Sequence, residues 1–246
     1  MLDSRVNIID DRLKHVKRIL AVSGGKGGVG KSLVASTIAL ILARKNCDVG
    51  LFDADFTSPS THAILGVEEI QPREDKGIIP ADVHGLKYMS IVAYSHDKPL
   101  PLRGADVSNV LIEFLAVIRW GSLDFLVIDM PPGISDATLD IIRLVKRIEF
   151  LIVTSPSPLA FGTVKKLAGL LADLKVPVVG VLENMKIKES QYVKQQATSM
   201  GFVFLGEIPF DPKVEDTLGD VNMLMKTNFA KKLAEIVSDN FLCKNR

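Results

Sequence analysis

The hydrophobic positions along the chain fall into short apolar runs that alternate with longer stretches of mixed character. The short runs are rich in β-branched and apolar residues, which is the composition expected of strands covered on both faces. The predicted strands are residues 19–23, 49–53, 86–93, 125–129, 150–154, 178–182 and 202–207. The helical patterns between them cover residues 32–44, 106–119, 136–146, 160–174, 189–200 and 228–240.

This alternation predicts an α/β fold, a doubly wound, mostly parallel sheet with helices on both faces. Ligands on such sheets bind at the carboxyl ends of the strands, and the polar motifs of this chain fall at those ends. The chain has 246 residues, of which 47% are hydrophobic, and it fits one domain better than two small ones. We therefore predict a single domain over residues 1–246, with an N-terminal extension over 1–17 and a C-terminal helix and tail over 225–246.

Residues 25–32 read Gly-Lys-Gly-Gly-Val-Gly-Lys-Ser, which is the phosphate-loop pattern G-x-x-x-x-G-K-[ST]. A predicted strand precedes the loop and a predicted helix follows it, so backbone N–H groups and the helix N-terminus can surround phosphate oxygens. Lys31 is expected to reach the β- and γ-phosphates, and the Ser32 hydroxyl is expected to bind Mg²⁺. A glycine-rich turn without a ligand is the alternative. The predicted nucleotide-binding residues of the loop are Gly25, Lys26, Gly27, Gly28, Val29, Gly30, Lys31 and Ser32.

Two carboxylates stand at the end of the predicted strand 49–53. Asp53 closes the strand and Asp55 follows one residue later. Side chains at this spacing point to opposite sides while a strand lasts, so they can converge on one metal and water site only if the chain turns after Asp53. The Thr-Ser-Pro-Ser segment that follows can supply such a turn. Solvated carboxylates at a strand end are the alternative.

A third carboxylate, Asp129, follows four apolar residues at the end of the predicted strand 125–129. This is the Walker B pattern, in which the aspartate holds Mg²⁺. Two prolines and Gly133 come next, and the glycine is free to change φ, so its N–H can approach a γ-phosphate. A buried strand followed by a proline turn is the alternative, but it leaves Asp129 without a role.

Two further strand ends are candidates for contact with a nucleotide base. Asn184 follows strand 178–182, and an asparagine amide can bond an adenine edge through both its donor and its acceptor. Pro209 lies in the Ile-Pro-Phe-Asp segment after the last predicted strand, which can supply an apolar wall for the base. Asparagine is also common in ordinary turns, so both assignments depend on the remainder of the site.

The composition narrows the location and partners of the chain. Its formal net charge is +1, which gives no general attraction to nucleic acid or to an anionic membrane. No apolar run approaches the roughly 20 residues that span a bilayer, and the first residues lack the order of a signal peptide. We therefore expect a cytoplasmic protein without a nucleic-acid or membrane partner. The two cysteines, Cys47 and Cys243, form no C-x-x-C pattern, so a self-contained zinc site is not expected.

The second lysine of the loop, Lys26, is not required by an ordinary phosphate loop. With it the loop resembles the deviant Walker A group, K-G-G-x-x-G-K-[ST], which includes MinD, ParA, the nitrogenase iron protein, the arsenite-pump ATPase and the Mrp/ApbC proteins. The resemblance implies a MinD-like P-loop NTPase fold that binds ATP or ADP with Mg²⁺. It also implies a homodimer in which Lys26 reaches the nucleotide of the partner, as an arginine finger does. A solvated loop lysine is the alternative.

The same resemblance assigns roles to the strand-end residues. It implies that Asp55 polarises the attacking water, that Asp53 lies near Mg²⁺, and that Asn184 and Pro209 stand where MinD-like folds hold adenine. The predicted catalytic residues are Lys26, Lys31 and Asp55, and the predicted metal-binding residues are Ser32, Asp53 and Asp129.

Longer stretches resemble one branch of this group, the Mrp/ApbC ATPases linked to iron–sulfur cluster assembly. The similar stretches lie in residues 16–22, 53–60, 103–104, 120–136, 183–185 and 205–212, and together they span nearly the whole chain. The resemblance implies a slow ATPase that acts in cluster assembly or delivery, with an iron–sulfur scaffold among its candidate partners.

One departure from that branch concerns the cluster itself. The branch places C-P-x-C shortly after E-N-M, and two thiolates from each subunit bridge a cluster at the dimer interface. Here residues 186–192 read Lys-Ile-Lys-Glu-Ser-Gln-Tyr, without a cysteine. Thiolate is the usual ligand of such clusters, so this chain is not expected to carry a bridging cluster in that manner. Two alternatives stay open: the chain acts beside a cysteine-bearing relative, or Cys243 gives one thiolate per subunit.

A second class of function is a positioning or partner-regulating switch of the MinD/ParA type. MinD holds membrane through a short C-terminal amphipathic helix. Residues 229–242 are amphipathic here, with an apolar stripe that contains Phe229 and Leu233. The polar face carries both acidic and basic residues, so a helix docked on the core is the favoured interpretation.

Overall fold

The computed structural model describes residues 5–95 and 105–242. In chain order, its strands are β1 (Val16–Gly24), β2 (Val49–Asp53), β3 (Arg73–Glu74), β4 (Ile78–Ile79), β5 (Ala81–Val83), β6 (Leu86–Ser90), β7 (Leu123–Asp129), β8 (Ile148–Thr154), β9 (Val178–Lys186) and β10 (Phe204–Pro209). The α-helices are α1 (Arg5–Leu13), α2 (Lys31–Arg44), α3 (Thr61–Leu65), α4 (Val92–Ser95), α5 (Ala105–Val117), α6 (Asp136–Leu144), α7 (Pro158–Asp173), α8 (Tyr192–Ser199), α9 (Val221–Leu224) and α10 (Asn228–Val237). A 3₁₀ helix covers Pro212–Thr217, and a π-helical turn covers Ser238–Leu242.

Among the described residues, eight strands form one sheet in the order β10-β9-β8-β1-β7-β2-β6-β5. Every neighbouring pair is parallel except β5 and β6, which are antiparallel at the edge. A separate hairpin joins β3 and β4. The prediction of a doubly wound, mostly parallel α/β sheet is therefore confirmed, and the carboxyl ends of its parallel strands meet at one edge.

Alternate residues of the central strands pack into cores on opposite faces of the sheet. On β1, Ile19 and Ala21 belong to one core, and Leu20 and Val22 belong to the other. Helices α1, α5, α6, α7 and α8 supply residues to the first core, whereas α2 and α10 supply residues to the second. The central strands are thus covered on both faces, which explains why their sequences are nearly continuous apolar runs.

The C-terminal helix α10 docks on the core through its apolar stripe. Phe229, Leu233, Ile236 and Val237 are all buried there, in the core that also contains side chains of α2. No helix of the described ranges is long and apolar enough to cross a membrane.

Several predicted boundaries differ from the structure. The strand predicted over 178–182 extends to Lys186, so Asn184 lies within β9 and not after it. The strand predicted over 86–93 ends at Ser90, because the Ser90 hydroxyl accepts a hydrogen bond from the Val92 N–H (3.3 Å) and the chain turns into α4. The helix predicted to reach residue 240 gives way to the π-helical turn after Val237. The helix predicted from residue 189 begins only at Tyr192.

Four short helices of the described residues were not predicted, namely α1, α3, α4 and α9. Helix α1 lies inside the predicted N-terminal extension and buries Ile9 and Leu13. Helix α3 follows the loop after β2 and ends at Leu65, and the next residue, Gly66, has a φ of 66°. All four have fewer than ten residues, so their apolar periodicity is too short to stand out in the sequence. The extent of the single domain stays a prediction.

Candidate functional site: a phosphate loop and three carboxylates at one edge of the sheet

The loops that follow β1, β2 and β7 meet at the carboxyl edge of the sheet. They border a cavity of about 550 Å³ that is lined by the phosphate loop, by Asp55 and Ser58 of the loop after β2, and by Pro132 after β7. The 3₁₀ helix closes a further side through Val214 and Glu215. The strand order therefore brings together segments that are about 100 residues apart in the chain.

The phosphate loop has the backbone geometry that its glycines permit. Gly28 and Gly30 both have a φ of 80°, a conformation that other residues rarely adopt. A Cβ on Gly30 would lie 2.4 Å from the Asn184 amide nitrogen, so a larger residue would also collide there. Helix α2 begins at Lys31, and Gly30 before it supplies no side-chain cap. The first N–H groups of α2 thus face the cavity, as they do in anion-binding sites.

Lys31 lines the cavity and forms a buried ion pair with Asp129. The Lys31 Nζ lies 2.7 Å from Asp129 Oδ1 and 3.3 Å from Ser32 Oγ. Burial raises the pKa of the fully buried Asp129 carboxyl, and Lys31 partly offsets that rise. The second oxygen, Asp129 Oδ2, is buried and has no hydrogen-bond partner in the described part of the chain.

These residues fit a divalent cation such as Mg²⁺. An unpartnered carboxylate oxygen of Asp129 and the hydroxyl of Ser32 are the hard oxygen ligands that Mg²⁺ prefers. A buried acceptor without a partner is costly unless a cation or a donor satisfies it. A magnesium ion at this point would satisfy Asp129 Oδ2.

Asp53 is bound mainly by donors of the protein itself. Its Oδ2 accepts hydrogen bonds from the Thr61 hydroxyl (2.6 Å), the Thr61 N–H (3.1 Å) and the Ser60 N–H (3.2 Å). Its Oδ1 accepts from the Asp55 N–H (3.1 Å). Asp53 and Asp129 are register partners on β2 and β7, and burial together with the Asp129 charge raises the pKa of Asp53 to about 7. Asp53 thus lies beside the candidate metal ligand, while its own oxygens close the loop after β2.

Asp55 borders the cavity from the loop that Asp53 closes. Its Oδ1 accepts hydrogen bonds from the Thr57 hydroxyl (2.8 Å) and the Ser58 N–H (3.2 Å). The residue is 6% exposed, and it lines the cavity together with the phosphate loop. The two carboxylates could converge on one site only if the chain turned after Asp53, and this turn is present.

Lys26 lies within the phosphate loop, and Gly133 is bonded to the residue that precedes the loop. Lys26 is exposed at the rim of the cavity, and it has no ion-pair partner within the described residues. Gly133 has a φ of 71°, and its N–H donates to the carbonyl oxygen of Gly24 (3.2 Å). The Pro-Pro-Gly loop is therefore tied to the start of the phosphate loop.

Asn184 and Pro209 line a second, smaller cavity of about 110 Å³ beside α2. The Asn184 amide nitrogen donates to the carbonyl oxygen of Val29 (3.0 Å), which ties β9 to the phosphate loop. Leu33 and Glu215 line both this cavity and the larger one, so the two cavities adjoin. Neither residue was predicted from the sequence to belong to the site. Leu33 could have been predicted, because it follows Ser32 directly in the sequence. Glu215 could not, because only the folding of the 3₁₀ helix against the cavity brings it to the site.

Glu183, the neighbour of Asn184, is buried on the opposite face of β9. It is 1% exposed, and neither carboxylate oxygen has a hydrogen-bond partner among the described residues. Burial raises the pKa of Glu183, and the positive charge of Lys186 partly offsets that rise.

The cysteines and one similar stretch lie away from this edge or outside the described residues. Cys47 is half-buried just after α2, at the end of the helix opposite the phosphate loop, and burial raises the pKa of its thiol. Cys243 and the Arg103-Gly104 pair lie outside the described residues.

A parallel sheet with a phosphate loop after its central strand and a Walker B aspartate on the neighbouring strand defines a P-loop NTPase. The chain belongs to the ParA family, described as NUBPL iron-transfer P-loop NTPase, whose model matches residues 15–241. The resemblance to the Mrp/ApbC branch of the MinD and ParA group is thereby confirmed.

Relatives agree with this assignment. The iron-sulfur cluster carrier protein of Aquifex aeolicus (strain VF5) is 38% identical over 221 residues, which are 83% of this chain and 61% of that protein. More than a third of the Aquifex protein therefore lies outside the match. The structure of a nucleotide-binding protein from Archaeoglobus fulgidus in complex with ADP is 30% identical, with a TM-score of 0.76 over 90% of this chain and 93% of that one.

The likeness to MinD is one of fold. The septum site-determining protein MinD from Pyrococcus horikoshii OT3, in complex with Mg-ADP, is 19% identical, with a TM-score of 0.70 over 93% of this chain and 97% of that one. The prediction of a MinD-like fold is confirmed by this comparison.

Proposed function

We propose that the chain is a Mg²⁺-dependent ATP-binding protein and a slow ATPase. It works as a nucleotide-switched homodimer in iron–sulfur cluster assembly or delivery, in the cytoplasm. The observation that carries the proposal is the Lys31–Asp129 pair. The Lys31 Nζ contacts both Asp129 Oδ1 and Ser32 Oγ, while Asp129 Oδ2 has no hydrogen-bond partner among the described residues. Family membership supports the same activity.

In this proposal, each residue of the site has one task in nucleotide binding. The N–H groups of the phosphate loop and of α2 hold the phosphate oxygens, and Lys31 contacts the β- and γ-phosphates. Ser32 and Asp129 hold Mg²⁺, which neutralises phosphate charge when it is bound. Asp53 fixes the loop after β2 at the side of Asp129.

The base and the attacking water are placed by residues on two sides of the phosphates. Asn184 uses one amide N–H on Val29, which leaves its carbonyl oxygen and second N–H for an adenine edge, with Pro209 as an apolar wall. Asp55 accepts from Thr57 and Ser58 through Oδ1, and we assign Oδ2 to orient a water in the larger cavity. Gly133 responds to the presence of the γ-phosphate: its N–H leaves the carbonyl oxygen of Gly24 and donates to the nucleotide instead.

Lys26 motivates the homodimer. It stands at the exposed rim of the cavity, where a single subunit gives it no partner among the described residues. A second copy placed across the cavity would receive its charge at the γ-phosphate. The shared nucleotide would thereby make the dimer depend on ATP.

The role in iron–sulfur metabolism rests on the relatives, and the chain itself is proposed to hold no bridging cluster. Strand β9 ends at Lys186 and α8 begins at Tyr192, so only residues 187–191 connect them, and none is a cysteine. An iron–sulfur scaffold or a cysteine-bearing relative is the proposed partner that would supply thiolates.

A MinD-like membrane switch receives less support from this chain. The apolar stripe of α10 is buried against the core, with Phe229 3% and Leu233 1% exposed, so it is not available for a lipid surface. Pelleting with liposomes, with and without ATP, tests this alternative directly.

Calorimetric titration with ATP and Mg²⁺ tests the proposed nucleotide site. Lys31→Ala should weaken ATP binding by about tenfold to hundredfold, because it removes a charge-assisted contact to the phosphates. Lys194→Ala removes an exposed lysine of α8 and should leave the affinity unchanged. Unchanged affinity in Lys31→Ala would refute the assignment of the loop.

A further inference from the structure

A buried tyrosine lies behind the loop that carries Asp55. Tyr88 is on β6, which pairs with β2, and its register partner is Leu51, two residues before Asp53. Residues two apart on a strand share a face, so Tyr88, Leu51 and Asp53 lie on the same side of the sheet. Tyr88, Asp53 and the intervening Thr61 are all 0% exposed.

These three side chains form a continuous chain of hydrogen bonds. The phenol oxygen of Tyr88 lies 2.8 Å from Thr61 Oγ1, and Thr61 Oγ1 lies 2.6 Å from Asp53 Oδ2. The Thr61 hydroxyl donates to Asp53 Oδ2, and a hydroxyl has only one proton to donate. The remaining bond must then run from the Tyr88 hydroxyl to the Thr61 oxygen. The hydroxyl protons of Tyr88 and Thr61 therefore both point toward Asp53.

Asp53 transmits this constraint to the loop after β2. Its two oxygens accept from the N–H groups at both ends of the loop, Asp55 on one side and Ser60 and Thr61 on the other. A rotation of the Asp53 carboxylate would release these bonds together. The position of Asp55 at the cavity thus depends on how Asp53 is held.

We propose that Tyr88, acting through Thr61, is a positioning residue for Asp55. Burying a phenol costs free energy unless its hydroxyl is bonded, and here the bond goes to the group that orients Asp53. A fully buried position on β6 needs only an apolar side chain for packing, so the hydroxyl has a further use. The part of the inference that concerns hydrolysis rests on the proposed ATPase function.

Hydrogen–deuterium exchange tests the positioning role without reference to catalysis. Tyr88→Phe keeps the ring and removes only the hydroxyl, and it should speed amide exchange in residues 54–61 by about fivefold, the effect of one lost hydrogen bond. Amides of β1 and β7 should keep their wild-type rates, which separates this effect from general destabilisation. The matched control is Tyr192→Phe on α8, which should change nothing in residues 54–61.

Variants of Thr61 test whether Tyr88 acts through it. Thr61→Val has nearly the same shape without the hydroxyl and should speed the same amides, whereas Thr61→Ser keeps the hydroxyl and should resemble the wild type. In the Thr61→Val background, Tyr88→Phe should add nothing, because the path to Asp53 is already broken. Full additivity of the two substitutions would overturn the proposal, as would unchanged exchange of residues 54–61 in Tyr88→Phe.

Steady-state kinetics then connect the loop to the reaction. Tyr88→Phe should lower kcat for ATP hydrolysis by about fivefold and leave the dissociation constant of ATP unchanged, because Tyr88 is not among the residues that line the cavity. A loss of ATP affinity with unchanged kcat would contradict a positioning role. If the wild-type chain does not hydrolyse ATP, the proposed function fails, while the exchange rates still decide the role of Tyr88.

Discussion

At the scale of single residues, the site concentrates buried charge at the carboxyl edge of the sheet. Asp53, Asp129 and Glu183 are at most 1% exposed, and Lys31 is 8% exposed. Burying a charge is costly unless partners compensate it. Asp53 has four protein donors and Asp129 has Lys31, but Asp129 Oδ2 and both oxygens of Glu183 have no partner among the described residues. The unpaired oxygens are therefore the points where substitution should be most informative.

Asp129→Asn should make nucleotide binding largely independent of Mg²⁺. The amide keeps the shape of the side chain and can still accept from Lys31, but it is a much poorer ligand for a hard cation. We expect affinity for ATP with Mg²⁺ to fall by at least about tenfold, while affinity in EDTA changes little. Titration under both conditions measures the difference. An Mg²⁺ dependence equal to that of the wild type would show that Asp129 is not a ligand.

Glu183→Gln should change the pH dependence of stability. Burial raises the folded-state pKa of Glu183 above its usual value, so the folded chain favours the protonated carboxyl. That stabilisation is complete below the unfolded-state pKa, and it is lost as the pH rises through the folded-state pKa. The glutamine cannot ionise, so the variant should gain stability relative to the wild type as the pH rises above the unfolded-state pKa of the carboxyl.

Urea unfolding at several pH values measures this change. Glu189→Gln is the matched control, because its side chain is 95% exposed, and it should give a stability difference that varies little with pH. A constant difference between Glu183→Gln and the wild type across the range would contradict the assigned pKa shift.

At the scale of elements, the same residues are held by loops whose ends are set by hydrogen bonds between strands. Asn184 ties β9 to the phosphate loop, and Gly133 ties the loop after β7 to the end of β1. The rigid core behind them includes α10, which buries its whole apolar stripe. The elements that carry the site are thus supported from both faces of the sheet.

Leu233→Ala should destabilise the fold by about 2–5 kcal/mol, because Leu233 is 1% exposed in the core beneath α10. Leu159→Ala removes a leucine that is 77% exposed, and it should change the free energy of unfolding little. Chemical denaturation of the two variants gives the comparison. Equal stability of both variants would mean that α10 is not docked on the core in solution. Its apolar stripe would then be available to bind a lipid surface.

The sequence predicts the elements whose signal is local and leaves out those that depend on strand order. The phosphate loop and the position of Asp129 could be predicted because a short motif and one apolar run define them. The hydrogen bond between Thr61 and Tyr88 could not be predicted, because it requires β6 to lie beside β2. The periodicity of apolar residues does not indicate the order of strands in a sheet. Short helices such as α1 were missed for the related reason that tertiary packing, rather than length, stabilises them.

At the scale of the whole molecule, the exposed rim of the cavity is where a second copy would contact the nucleotide. Lys26 stands at that rim with no ion-pair partner in the described residues, whereas Lys31 is paired in the interior. The two lysines of one loop therefore serve different neighbours in the proposed function: Lys31 its own nucleotide and Lys26 that of the partner.

Asp55→Ala should accumulate an ATP-bound homodimer. The substitution should slow hydrolysis by about a hundredfold while it preserves ATP binding, because it removes the group that is proposed to orient the water. Light scattering with saturating ATP should report a dimer, and Lys26→Ala added to Asp55→Ala should shift the equilibrium back toward monomer. A monomer in Asp55→Ala at ATP saturation would count against the shared-nucleotide arrangement.

The isolated homodimer should fail to hold a stable bridging [4Fe–4S] cluster. Such a cluster needs about four thiolates at one place, and each chain offers only Cys47 and Cys243. Cys47 follows α2, a helix of 14 residues that begins at the phosphate loop, so it lies about 20 Å from the proposed interface. Anaerobic reconstitution with iron and sulfide should therefore leave little iron bound and no visible absorbance after desalting, in the wild type and in Cys47→Ser alike. About four irons per dimer, lost in Cys243→Ser and kept in Cys47→Ser, would instead show that residue 243 supplies thiolates and that a partner with its own cysteines is not needed.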